Sequence, residues 1–171
     1  MQKWLCGPDG TGALYVRKES LHYVRPTYVG PWSIKHEEGI EWELLENARR
    51  FEGGGRQTAS LAGQAAVLNW LENTVGYDWL FERISSLSTY TYNALKAIPG
   101  LIMLTPKPGA AGLISFRMEG KNPTEVVNYL RENRDIHIRN IPSMNSLRIS
   151  TGFYNTEDEI DLLVKVLQEF V

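Results

Sequence analysis

From Leu101 onward the sequence changes period in a fixed order, and that order limits the folds open to it. Leu101-Ile102-Met103-Leu104 and Leu113-Ile114-Ser115-Phe116-Arg117 read as strands separated by the Pro106–Gly112 loop. Asn122-Pro123-Thr124-Glu125 opens a helix, with Asn as N-cap, Pro at the first helical position and an acid in the first turn; it runs to about Asn133. Ile136-His137-Ile138-Arg139 alternates as a half-buried strand, and Leu147-Arg148-Ile149-Ser150 is another beyond a turn around Pro142. Thr156-Glu157-Asp158-Glu159 is a capping box opening the last helix, whose Ile160, Leu163, Val164 and Leu167 form an apolar face. Strand, strand, helix, strand, strand, helix makes a small sheet with helices on one side, an α+β unit.

Two longer helical patterns precede it. Gln57 to Val75 carries Leu61, Ala65, Leu68, Leu71 and Val75 on one stripe, and Gly76 stops it. Tyr77 to Ile98 repeats the stripe with Leu80, Ile84, Leu87, Thr91 and Leu95 and ends at Pro99-Gly100. Such stripes are read as core faces. Residues 18–55 are irregular instead, with Pro26, Gly30-Pro31, Trp32 and Trp42. So long an aperiodic stretch is uncommon in a compact domain unless it lines a site or an interface. Gly7-Pro8-Asp9-Gly10-Thr11-Gly12 forces a turn, and Ala13-Leu14-Tyr15-Val16 after it reads as a short strand. A nucleotide-binding loop needs a helix after its glycines, so that reading fails on context.

Composition excludes several classes. The chain has 171 residues, 43% hydrophobic and 22% charged, close to globular averages. Eighteen basic against twenty acidic side chains leave a net charge of −2, which offers no field for nucleic acid or an anionic membrane. No apolar run reaches the length of about 18 residues that suits a transmembrane helix. The start leaves no room for a signal-peptide core of about 7–15 apolar residues. One cysteine, Cys6, cannot form an internal disulfide, so a reducing, cytoplasmic setting is expected.

Local chemistry is sparse. His22, His36 and His137 are far apart and share no helix face, so no metal site is expected. Glu37-Glu38 and Glu157-Asp158-Glu159 are the densest acids, and a helix start explains the second group. No G-x-S-x-G elbow is present to activate a serine. Two cations remain. Lys3 precedes a turn beside Trp4, Leu5 and Cys6, an apolar run that can desolvate an amine and make it nucleophilic. Its plain alternative is a solvated terminus. Arg148 lies in an alternating strand on the same side as Ser150, where it can present a fork to a carboxylate; its plain alternative is a surface ion pair.

Taken together these segments resemble class V aminotransferases, a family that includes cysteine desulfurases, cysteine/cystine C–S lyases and isopenicillin N epimerase-like proteins. Lys3-Trp4-Leu5-Cys6-Gly7-Pro8-Asp9-Gly10-Thr11-Gly12 is similar to the family's lysine segment, in which a lysine and an aromatic precede a glycine-rich turn. Arg50-Phe51-Glu52-Gly53-Gly54-Gly55 resembles the segment that reaches the cofactor phosphate across a dimer interface. Leu147-Arg148-Ile149-Ser150 with Phe153-Tyr154-Asn155-Thr156-Glu157 resembles the closing signature, whose arginine binds the substrate carboxylate. The resemblance implies that Lys3 holds pyridoxal 5′-phosphate and acts as catalytic base. It implies that Gly54, Gly55 and Thr58 approach the phosphate, and that Arg148 orients an amino-acid substrate.

Departures from the pattern narrow the expectation. Gln2 stands where His often precedes the lysine, as in the C–S lyase and epimerase-like branch, and Gly54-Gly55 replaces a Gly-Thr pair. Desulfurases carry a cysteine on the loop before the arginine, whereas Ile141-Pro142-Ser143-Met144-Asn145-Ser146 has none. Lyase, epimerase or aminotransferase chemistry is therefore expected over a persulfide-forming desulfurase. Family members are roughly twice as long with the lysine near the middle, so residues 1–76 are expected to be a remnant of the large cofactor-binding domain and 77–171 the small carboxy-terminal domain. On that reading the chain is inactive, or binds cofactor weakly, without the missing half, and its exposed aromatics favour a homo-oligomer. The alternative is a non-catalytic α+β module for association or small-ligand binding.

Overall fold

The computed structural model describes residues 1–35 and 42–171; His36 and the Glu37-Glu38 pair lie outside the described residues. The chain divides into two compact units, Met1–Thr74 and Val75–Val171.

The second unit is a two-layer α+β domain. Its sheet has the order β3 (Leu101–Met103), β4 (Leu113–Met118), β6 (Ser146–Ser150), β5 (Arg139–Ile141), antiparallel at every pairing. Helices α2 (Tyr77–Lys96), α3 (Pro123–Arg134) and α4 (Glu157–Gln168) supply the other layer. Alternation decides which side is buried. Ile114, Phe116 and Met118 of β4 and Leu147 and Ile149 of β6 point into a core shared with Tyr92, Leu95, Val126, Leu130, Leu163, Val166 and Leu167. The intervening residues Ser115, Arg117 and Arg148 therefore fall on the opposite face.

The helix starts are set by short-range chemistry. Asn122 Oδ1 accepts from the Thr124 backbone N–H at 2.9 Å, with Pro123 opening α3. Thr156 and Glu159 close the expected capping box: the Glu159 N–H donates to Thr156 Oγ1 at 3.3 Å, and the Thr156 N–H donates to Glu159 Oε2 at 3.0 Å. Arg83 of α2 grips Glu157 at the start of α4 with both guanidinium nitrogens, Nη1 to Oε1 at 2.5 Å and Nη2 to Oε2 at 2.8 Å. Its Nη2 also donates to the Asn155 carbonyl at 2.8 Å.

Among its described residues the first unit has little regular structure. Two-residue strands β1 (Ile34–Lys35) and β2 (Glu43–Leu44) pair antiparallel, and single 3-10 turns cover Lys18–Ser20 and Ala48–Phe51. One helix, α1 (Thr58–Trp70), follows and widens into a π turn over Leu71–Val75.

Three expectations need correction. Ala13–Val16 is not a strand: it pairs with none of the described residues. Residues 136–138 are not a strand either. The left-handed Asp135 at the end of α3 (φ 53) turns the chain so that pairing with β6 begins only at Arg139. The expected stripe holds only at its end: Leu71 is fully buried and Leu68 and Val75 are half-buried, but Leu61 is 44% exposed, Ala65 is exposed, and Gln64 is the buried residue of α1. This Ala- and Leu-rich helix is apolar nearly all round, so spacing alone selects no side.

Candidate cofactor and substrate site

Lys3 sits in a tight turn at the start of the first unit. The Cys6 N–H donates to the Lys3 carbonyl at 3.3 Å, with Cys6 in the left-handed region at φ 53. Lys3 and Trp4 are both exposed, so the neighbouring apolar side chains do not shelter the amine within this unit. The glycine-rich turn that follows is tied at Thr11. The terminal amino group of Met1 donates to the Thr11 carbonyl at 3.0 Å, and Thr11 Oγ1 donates to the Pro8 carbonyl at 2.9 Å.

Gly54, Gly55 and Thr58 lie on the segment that runs into the amino end of α1. The segment is fixed just before its exposed part. Ser33 Oγ donates to the Glu52 carbonyl at 2.9 Å, and Gly30 comes so close to Gly53 that a Cβ on Gly30 would lie 1.8 Å from the Gly53 carbonyl oxygen. Arg56 pairs with Glu52 and lies 5.3 Å over the Trp32 ring. Arg50 donates from Nη1 to the Leu21 carbonyl at 3.2 Å.

At Gly54 and Gly55 the space a side chain would take is open, with no atom of the described residues within 4 Å. Thr58 is the first residue of α1, whose amino end has no side-chain cap. Bare backbone beside an uncapped helix start suits a phosphate, because free amides and the helix dipole both favour an anion there. The residues present therefore fit the phosphate end of the implied cofactor.

Arg148 stands on β6 in the second unit, in a row across the sheet with Ser115 on one side and Arg139 on the other. Its Nε is buried and has no hydrogen-bond partner among the described residues. A buried guanidinium nitrogen without an acceptor is expensive, and a carboxylate would satisfy it. Arg139 was not among the residues singled out from sequence. An Ile-His-Ile-Arg alternation shows which face a residue takes, but not what it pairs with across the sheet.

The loop between β5 and β6 is a single 3-10 turn, Pro142–Met144, closed by Asn145 at φ 45. Arg117 Nε donates to the Met144 carbonyl at 3.0 Å and holds that turn.

The family model for class-V aminotransferases matches residues 1–163. This chain belongs to the class V aminotransferase family. It is 32% identical to a cysteine desulfurase of Escherichia coli O127:H6 (strain E2348/69 / EPEC), over 96% of this chain and 43% of that protein. Among solved structures it resembles the cystine C–S lyase C-DES in complex with its reaction product cysteine persulfide. The TM-score is 0.84 and the identity 28%, over 98% of this chain and 44% of that one. A C-DES mutant with glycine covalently linked to its PLP cofactor also matches, at TM-score 0.84 and 26% identity, over 97% and 43% of the two chains. The class V chain described here thus spans less than half the length of these relatives. Its α+β fold is that of the matching part of the PLP-dependent enzymes, and pyridoxal 5′-phosphate is the cofactor that the family implies.

Proposed function

We propose that this chain is the carboxy-terminal portion of a PLP-dependent enzyme acting on amino acids, of C–S lyase, epimerase or aminotransferase type. On this reading it releases its product free rather than as a persulfide on a protein cysteine. The observation that carries the choice is the β5–β6 turn. It is short, it contains no cysteine, and the one thiol of the chain is Cys6 in the lysine turn. Transfer of sulfur to a protein thiol needs a nucleophilic cysteine carried to the substrate, and this turn has none to carry.

The roles follow from the chemistry of each group. The backbone amides of Gly54 and Gly55 and the Thr58 hydroxyl bind the phosphate at the start of α1. Lys3 holds the cofactor through its amine and moves the α-proton of the substrate. Arg148 binds the substrate carboxylate through its fork and orients the bond to be broken, with Arg139 adding a second positive charge. When bound, pyridoxal phosphate supplies the electron sink that makes the α-carbon acidic.

Residues 1–76 act as the remnant of the large domain, and 77–171 as the small one. The first unit leaves Tyr15, Tyr23, Tyr28, Trp32 and Trp42 exposed, which favours association with further polypeptide, including a second copy. The same surface favours the alternative of a non-catalytic association module. Alone, the chain binds cofactor weakly, since affinity needs a preorganised cup of contacts.

The test supplies the chain with the amino-terminal portion that its relatives carry and offers cystine and cysteine in turn. Low-molecular-weight product with Cys6 unmodified by intact mass supports the proposal. Sulfur accumulating on Cys6, with turnover lost in Cys6→Ser, contradicts it. Tight association without turnover of any amino acid favours the module.

A further inference from the structure

We propose that Gln64 is a positioning residue for the lysine turn: its buried amide, reaching from α1 to Gly7 and Thr11, sets where the turn carries Lys3. The inference rests on the reading of Lys3 as the cofactor lysine.

Gln64 is out of character with its helix. It is 4% exposed, and the residues beside it on α1 are small or apolar. A primary amide in such a place is costly unless it is used. Its Oε1 accepts from the Thr11 hydroxyl at 3.0 Å, and that one proton is shared with the Pro8 carbonyl in a three-centre bond. One hydroxyl therefore links the turn backbone to the helix.

The second contact is steric. A Cβ on Gly7 would fall 2.0 Å from Gln64 Oε1, 2.7 Å from its Cδ and 2.9 Å from its Nε2, and these are the three nearest atoms. Gly7 is not among the glycines with positive φ, so a side chain there would meet the Gln64 amide rather than a backbone restriction, and the amide would have to move aside. At the neighbouring helix position, a Cβ on Gly63 would sit 3.5 Å from Pro8 Cγ, so Pro8 too lies close to α1. Gln64 Nε2 has no hydrogen-bond partner among the described residues. The amide is therefore kept in a shaped slot by Gly7 and Thr11 rather than by a saturated hydrogen-bond network. Lys3 is joined to this slot through the Lys3–Cys6 turn, which ends one residue before Gly7.

A core filler and a positioning residue differ in one respect. Loss of a filler lowers stability, whereas loss of a positioning residue also couples in sign to the group it touches. The experiment uses the full chain and the rate at which its one cysteine, Cys6, reacts with an aromatic disulfide reagent, as a reading of turn order. Gln64→Ala and Gly7→Ala each raise the rate several-fold, while the double variant reacts more slowly than either, because the new methyl fills the space the amide vacates. If Gln64→Ala does not fold, Thr11→Val raises the rate and Thr11→Ser retains the native one. An unchanged rate in Gln64→Ala and Thr11→Val, or single effects that simply multiply in the double variant, overturns the proposal.

A second arm separates this from the reading of Lys3. The chain is treated with pyridoxal phosphate and borohydride, and adducts at Lys3 and Lys18 are compared by peptide mapping. A preference for Lys3 that Gln64→Ala reduces supports both. Coupling at Cys6 without any preference for Lys3 upholds the clamp on the turn and removes Lys3 as cofactor lysine.

Discussion

Arg139 and Arg148 stand directly opposite each other across the β5–β6 ladder. Like charges in that relation repel, and Arg148 also keeps a buried Nε without an acceptor among the described residues. An anion on the sheet face turned away from the helices would relieve both tensions, which is what supports the carboxylate role proposed for Arg148.

Opposite signs are therefore expected for stability and binding at Arg139. Arg139→Gln raises the unfolding free energy of the ligand-free chain by about 0.2–1 kcal/mol, because it removes a cross-strand repulsion. The same change weakens binding of a small amino acid, and Arg148→Gln weakens it further, by about 1.5–3 kcal/mol for a lost charged hydrogen bond. Urea titration gives the first quantity and NMR titration the second. Arg139→Gln lowering both speaks against the anion role.

The Arg83–Glu157 pair makes stability depend on acid. The Arg83 guanidinium holds the Glu157 carboxyl down at about 2, from an ordinary 4.5. A carboxyl depressed in the folded state contributes stability above its unfolded pKa and loses it as pH falls through the folded one. Denaturant unfolding should thus show stability declining from about pH 4.5 toward pH 2. Glu157→Gln removes part of that slope while leaving α4 in place. An unchanged slope in the variant would mean that other carboxyls carry the acid response.

Much of the second unit was legible because its signals are local. The caps at Asn122 and Thr156 and the alternation through Ile114, Phe116, Leu147 and Ile149 depend on neighbours in sequence or on one buried face. Val166 escaped the expected apolar face of α4, although it is buried beside Leu167. Residues 136–138 misled because alternation marks a strand but not the turn at Asp135 that delays pairing. The first unit was legible in its motifs and opaque in its shape. Gly54, Gly55 and Lys3 stood out as a pattern, but Gln64 lies far from Gly7 in sequence, and no local rule joins them.

Helix capping sets a measurable part of the second unit's stability. Thr156→Ala should cost about 0.5–2 kcal/mol, since it leaves the Glu159 N–H without its acceptor. Phe116→Ala, at a fully buried core position, should cost about 3–5 kcal/mol. Thermal and urea unfolding followed by far-UV circular dichroism read both. Near-equal costs would show that the sheet core is not where packing is concentrated.

The aromatic surface of the first unit makes self-association concentration-dependent. Sedimentation velocity across a dilution series should show species larger than the monomer, and Trp32→Ser with Trp42→Ser should shift them toward it. A monomer at every concentration contradicts the association expected of these side chains.

The most direct test is where pyridoxal phosphate attaches to this chain. Weak binding is captured by borohydride reduction at rising cofactor concentration, followed by peptide mapping of every lysine. Adduct should accumulate at Lys3 well ahead of Lys18, Lys35, Lys96, Lys107, Lys121 and Lys165, with no site replacing it in Lys3→Ala. Label spread over the lysines in proportion to their exposure, with Lys3 not distinguished, would contradict the assignment.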